Sequence, residues 1–335
     1  MRRSVSTLIS LAKFYSSLTR NKVVYIPIAP TLLGFIRDAL MIWGASVAGC
    51  RIVVHLHGGG YKLFFCGLSH AVQLLVKGTL KRADSIIVLA DRLRDEFSFV
   101  DDADARLIVV PNGLSITTPT PRKVLAKGSR GELLRILYLS NMIESKGYLD
   151  LLDACRLLRN ENRIPFHCTF CGEFIRTIVD RSSVPEADLE LGFRKLISSM
   201  DLDSFVSYLG SVRGETKWKV LSEADLFVLP SYYPWEGQPI SVIEALAFGL
   251  PVIATRYRGI PELVVEGYNG ILVEQRSPPQ IADAVAALYR DPARWAEFSA
   301  NAYRLYQQRF TREAHLARLV PTILGNMAAF ESKPS

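Results

Sequence analysis

Apolar positions in this chain follow two alternating rhythms. KVVYIPIA (22–29), RIVVHLH (51–57), SIIVLA (85–90) and RLIVVP (106–111) are short, continuous, β-branched runs. Runs of this kind suit strands buried on both faces of a parallel sheet. The stretches between them, 31–49, 61–82 and 91–99, have helical length and mix apolar with polar positions. Strand and helix in strict alternation predict a doubly wound α/β domain. Asn112-Gly113 closes it, and a Thr-, Pro- and Gly-rich segment at about 115–132 has the composition of a linker. The alternation then restarts. Strands are predicted at LRILYLS (134–140), FHCTFCGE, VSYLG (206–210), DLFVLP, PVIAT and GILVE. Helices are expected at 147–160, 187–200 and 214–223, and from about 279 to 328 with a break at Phe310-Thr311.

Composition adjusts this picture in three places. A length of 335 residues suits two domains, and a hydrophobic content of 49% supplies a sizeable core. The net charge of +7 is uneven: residues 1–118 carry 14 Lys and Arg against 8 Asp and Glu, whereas the rest is close to neutral. A basic first half suggests an anionic partner. No nucleic-acid motif accompanies the charge, so a nucleic-acid partner is not expected. Basic residues interleaved with large apolar ones at 1–20 and 61–82 point instead to contact with an anionic membrane surface, with core-facing helices as the equal alternative. No apolar run spans a bilayer, because LLGFIRDALMIWGASVAGC is broken by Arg37 and Asp38. The first twenty residues lack a long apolar stretch and a cleavage site, and are read as a helix of the folded domain. The five cysteines show no disulfide framework and suggest a reducing, cytoplasmic setting. Cys168 and Cys171 lie in an apolar strand pattern with no second ligand pair, so they are expected to pack rather than bind metal.

Chemistry concentrates between Leu229 and Glu274, LPSYYPWEGQPISVIEALAFGLPVIATRYRGIPELVVEGYNGILVE. Glu236 falls in a turn, and Glu244 lies eight positions on, just over two turns into the helix that follows. Pro239 suits a first helical turn, where its missing donor costs nothing. A helix start offers unpaired N–H groups and the positive end of a dipole, which suits a phosphate. The candidate donors are the N–H groups of Gly237, Gln238, Ile240 and Ser241. Together these residues form a diphosphate seat flanked by two hydroxyl-binding acids, the shape a nucleotide sugar requires. Two strand ends add to it: Lys146-Gly147 in SNMIESKGYL, and HLHGGGY at 55–61, whose glycines let a backbone approach a sugar or phosphate closely.

The run from Glu236 and Glu244 through Ala245–Gly249, Pro251–Thr255 and GIPELV at 259–264 resembles the retaining glycosyltransferases of family 4. The resemblance extends from about residue 20 to 328, more closely in the second half. It implies the GT-B fold: two Rossmann-like, doubly wound parallel-sheet domains facing a cleft. Residues 1–118 would form the acceptor-side domain and 133–310 the nucleotide-sugar domain, with a C-terminal helix in 311–335 crossing back to the first. The resemblance implies transfer of a sugar from a nucleotide-diphosphate sugar to a glycan or lipid-linked acceptor, in bacterial surface-polysaccharide or lipid-linked oligosaccharide synthesis at the inner face of the membrane. Glu236 resembles the acid that touches the donor sugar, Glu244 the acid on the ribose, and Lys146 the lysine that grips the diphosphate. His57 resembles the histidine facing the donor sugar, with Gly58 and Gly59 beside it. Asn141 stands where the family carries Arg. Loops near Gly172, Glu173, Ser211 and Val212 would read base and sugar. With the helix start and Lys146 neutralising the diphosphate, neither metal nor separate cofactor is expected. The family's opening strand and Gly-rich loop are not found, which implies a reduced first domain or a missing beginning. The alternative reading is a non-catalytic nucleotide-sugar-binding or scaffold protein. A nicotinamide enzyme is set aside, because no Gly-x-Gly-x-x-Gly follows a strand with a downstream acid.

Overall fold

A computed structural model of the protein describes residues 14–20, 22–115, 133–177, 180 and 185–325. The linker expected at about 115–132 lies outside the described residues apart from position 115, as do positions 1–13 of the expected N-terminal helix. The chain forms two compact units, one of residues 1–112 with 313–335, the other of residues 113–312.

The first unit is built on β1 (Val23–Pro27), β2 (Arg51–Leu56), β3 (Ser85–Val88) and β4 (Leu107–Val109), all parallel and adjacent in chain order. Helix α1 (Leu32–Val47) starts at Thr31, whose side chain accepts from the Gly34 N–H; this is an ordinary N-cap. The helical pattern at 61–82 divides into α2 (Tyr61–Cys66) and α3 (His70–Leu80), because Gly67 ends the first and Ser69 begins the second. The stretch expected to be helical at 91–99 is a 3-10 turn, Asp91–Phe97. The core gathers the strands' β-branched residues under Phe35, Ile42, Tyr61, Phe65 and Phe97.

The second unit is built on β5 (Leu134–Leu139), β6 (Phe166–Cys171), β7 (Val206–Tyr208), β8 (Leu226–Leu229), β9 (Val252–Thr255) and β10 (Gly270–Val273). All its strand pairs are parallel, in the order β10-β9-β8-β5-β6-β7. Its helices are α4 (Tyr148–Leu157), α5 (Glu186–Ser199), α6 (Gly214–Glu223), α7 (Ile240–Ala247), α8 (Pro278–Arg290) and α9 (Pro292–Arg309). From β5 the chain runs outward to β6 and β7, then returns to β8 on the opposite side of β5. Loops after β5 and β8 therefore diverge, and such a switch point leaves a crevice at the carboxyl ends of the strands.

Helix α10 (Arg312–Leu324) follows the expected break at Phe310-Thr311, and from Glu313 it belongs to the first unit. There Leu319 packs on Val53, Ile87 and Val110, and His315 Nδ1 lies 2.7 Å from the Pro111 carbonyl. All five cysteines are free, and Cys168 and Cys171 are buried in β6. His167 bonds to Ser207 Oγ at 3.0 Å, so this segment packs as the apolar pattern indicated. No described helix is long and apolar enough to cross a membrane.

Candidate active site

Both loops at the switch point of the second sheet are held in place by backbone. Gly147 has φ +79°, and a side chain there would strike the Pro230 carbonyl. The Tyr232 N–H donates to the Ser145 carbonyl at 2.8 Å, tying the β5 loop to the β8 loop. Gly172, after β6, packs so closely on the Ser140 carbonyl that no Cβ fits there. Its N–H reaches Gly210 at 2.9 Å, and its carbonyl accepts from the Tyr208 hydroxyl at 2.8 Å. Gly172 thus braces the loop that carries Asn141, while Val212 packs against the core of this unit. Asn141 is exposed.

Helix α7 begins at Pro239, which provides no side-chain cap. The Val242 and Ile243 N–H groups already reach the Pro239 carbonyl, which leaves the amides of Ile240 and Ser241 as the ones with no intrahelical acceptor. Apolar packing of Val242, Ile243, Ala245 and Leu246 secures the helix, and Gly249, at φ +68°, ends it.

Two buried acids flank this start, and each is paired with a lysine. Glu236, 4% exposed, accepts through Oε2 from Lys146 Nζ at 2.7 Å and from Ser231 Oγ at 2.6 Å. Thr255, at the end of β9, donates its hydroxyl to the Ser231 carbonyl and so steadies that partner. Lys146 also lies 4.7 Å from the centre of the Tyr233 ring. Glu244, 7% exposed, accepts through Oε1 from Lys217 Nζ at 2.6 Å. In both acids the second carboxylate oxygen has no partner among the described residues. Burying charges is tolerable only when they are paired, and each lysine meets that need while leaving one oxygen available.

The structure therefore brings Lys146, Glu236, Glu244, Gly237, Gln238, Ile240 and Ser241 together around one helix start, with Asn141 on the adjoining loop. Lys217 was not found from the sequence; it lies 27 positions before its partner, on α6, with no motif to mark it. A separate cavity of about 280 Å³ is lined by Met142, Glu144, Tyr148, Ile175 and Phe193 among others. None of the paired acids and lysines faces it, so its volume does not mark the chemistry.

The first unit carries His57, exposed, with Gly58 half-buried and Gly59 buried. Gly60 takes φ +85° as α2 begins. The buried carboxylate of Glu96 accepts from the Gly60 N–H at 3.0 Å and the Lys62 N–H at 2.9 Å. This helix start already has its anion. His55, expected to pack inward, is fully buried and also stacks on His57, ring centres 3.8 Å apart. Burial chiefly, with His57 and His315 adding, pushes His55 down to about 3; burial and His315 also lower His57. Of the basic residues in 61–82, Lys62 and Lys81 pair with Asp95 and Asp101, and Arg82 stacks on Trp43. No cluster of three or more metal-ligating side chains occurs among the described residues.

A parallel sheet that reverses at its centre, with helices packed on it and buried acids paired to lysines at the reversal, defines a domain of the doubly wound α/β class. The chain belongs to the glycosyl transferases group 1 family, whose model matches residues 122–305. It is 34% identical over 159 residues to the amylovoran biosynthesis glycosyltransferase AmsK of Erwinia amylovora, covering 46% of this chain and 35% of that protein. It is 28% identical over 211 residues to the putative colanic acid biosynthesis glycosyltransferase WcaL of Escherichia coli strain K12, covering 62% of this chain and 48% of that one. The chain thus spans less than half the length of these curated relatives. Among solved structures, Anabaena Alr3699/HepE in complex with UDP is similar with a TM-score of 0.74 at 21% identity, covering 94% of this chain and 81% of that one. Sucrose-phosphate synthase from Thermosynechococcus elongatus is similar with a TM-score of 0.67 at 20% identity, covering 91% and 73%. These likenesses show the fold, GT-B.

Proposed function

We propose that this protein is a retaining glycosyltransferase of family 4 that moves a sugar from a nucleoside-diphosphate donor to a glycan or lipid-linked acceptor. One observation carries the reading: beside a helix start that Pro239 leaves uncapped, Glu236 and Glu244 each keep one oxygen on a lysine and one without a partner among the described residues. The diphosphate would lie at that start and draw on Lys146, whose ammonium then shifts from Glu236 toward the leaving phosphate. Glu244 would accept from ribose hydroxyls, and Glu236 from the sugar or its developing positive charge. The anomeric carbon–phosphate oxygen bond breaks, an acceptor hydroxyl bonds to that carbon on the same face, and its proton goes to the departing diphosphate. Lys146 and the helix start would neutralise the diphosphate without a metal ion. The solved relative that holds UDP supports a uridine donor as the first to test, and the polysaccharide-biosynthesis relatives support a glycan acceptor. Residues 1–20 and 61–82 would meet an anionic inner-membrane surface, although the ion pairs of Lys62 and Lys81 reduce the charge available.

The test is donor turnover by wild type and Glu236→Gln across UDP-, GDP- and ADP-sugars, with excess chelator in a parallel series. Turnover that survives chelation and collapses in the variant is the expected result, with the product keeping the donor's anomeric configuration by NMR. Tight nucleotide binding without turnover in either protein would overturn the enzyme and leave a sugar-nucleotide-binding scaffold.

A further inference from the structure

The His57 end of the first unit holds a polar cluster that the signature helix does not explain. His55, on β2, is fully buried, and a buried imidazole is costly unless its nitrogens are used. Its Nδ1 lies 2.5 Å from the hydroxyl of Tyr25 on β1. The same hydroxyl lies 3.3 Å from His57 Nε2, and the two imidazoles stack with 29° between their planes. His55 Nε2 is buried with no partner among the described residues.

A tyrosine hydroxyl has one proton, so it donates to one of these nitrogens and accepts from the other. If it donated to His55 Nδ1, the neutral ring would bury an N–H at Nε2 with no acceptor. If instead His55 Nδ1–H donates to the Tyr25 oxygen, the unpartnered Nε2 is only a lone pair, the less costly orphan. The Tyr25 hydroxyl then donates to His57 Nε2, and the His57 proton must sit on Nδ1. Burial keeps His55 neutral, and burial and His315 disfavour charge on His57.

We propose that Tyr25 and His55 are positioning residues that lock His57 in its Nδ1–H tautomer, making it a neutral hydrogen-bond donor to a sugar hydroxyl. The sugar rests on the transferase reading above, whereas the tautomer does not. Long-range ¹H–¹⁵N correlation NMR on the full chain, which has five histidines, reads the tautomer directly; the His57→Gln spectrum assigns the signal. Wild type is expected to show His57 protonated at Nδ1. Tyr25→Phe, which keeps the ring, is expected to release it to the Nε2–H form that free imidazole side chains favour, with the thermal melt confirming a folded chain. A wild-type His57 protonated at Nε2, or a Tyr25→Phe spectrum unchanged from wild type, overturns the proposal. If Tyr25→Phe fails to fold, the wild-type spectrum still decides between the two assignments. In turnover assays Tyr25→Phe should lower kcat roughly tenfold in the wild-type background, and the double variant should lose no more than His57→Gln alone. Additive losses overturn the coupling. A locked tautomer in a chain that turns over no donor retains the lock and sinks the transferase reading.

Discussion

Two helix starts in this molecule look alike in sequence, and the structure makes them opposites. Helix α2 follows the triple glycine of HLHGGGY, and α7 follows Glu236-Gly-Gln-Pro239. The first is filled from within, as Glu96 reaches it from 36 positions away and takes the amides of Gly60 and Lys62. The second has acids beside it, yet Lys146 and Lys217 hold them, and its N-cap residue, Pro239, supplies no side-chain cap. Sheet topology accompanies the difference. The first unit's described strands run in simple chain order, whereas the second unit's sheet reverses between β5 and β8, the strand that leads into α7. A glycine-rich turn is therefore weak evidence for an anion site until the acid that might already occupy it has been located.

The largest test of this contrast is Lys146→Ala. It should lower donor turnover by about 10²–10³, the scale for removing a group that stabilises transition-state charge, read as kcat under saturating donor. A loss confined to KM would remove Lys146 from the leaving phosphate. Next comes Glu96→Ala, which strands two amides and should cost about 2–4 kcal/mol in denaturant unfolding, with nucleotide affinity unchanged. Weaker nucleotide binding in that variant would erase the distinction between the two starts. Glu244→Gln should weaken nucleotide binding by roughly tenfold, the value of about one charge-assisted hydrogen bond, and 2′,3′-dideoxynucleotide should bind equally to wild type and variant. The last test is a pH slope in the first unit, gentle at any one pH. The folded chain resists protonating His55 down to about 3, while an unfolded histidine takes its proton near 6.5. Stability should therefore fall as pH drops from about 6.5 toward 3, by at most about 1.4 kcal/mol per pH unit. His55→Phe should flatten that slope in acid melts, and an unchanged slope would assign it to other groups.

The sequence revealed what is local. Continuous β-branched runs marked nearly every strand, and Pro239 with the Glu236–Glu244 spacing marked α7, because each depends on neighbours within two turns. The break between α2 and α3 was also written locally, as Gly67 followed by Ser69, but the amphipathic pattern continued across it and hid the break. What stayed illegible was pairing at a distance. Lys217 meets Glu244 from another helix, Glu96 meets Gly60 from a 3-10 turn, and Tyr25 meets His55 across two strands. Each of these contacts exists only because packing brings remote segments together, and no spacing rule encodes that.

The support of Glu236 has a practical consequence. Ser231 holds this acid and is itself suspended from the Thr255 hydroxyl at the tip of β9. Anyone transplanting the 230–239 turn into a related scaffold to change its preference should bring the threonine as well, since a graft without it would present the acid at the wrong angle.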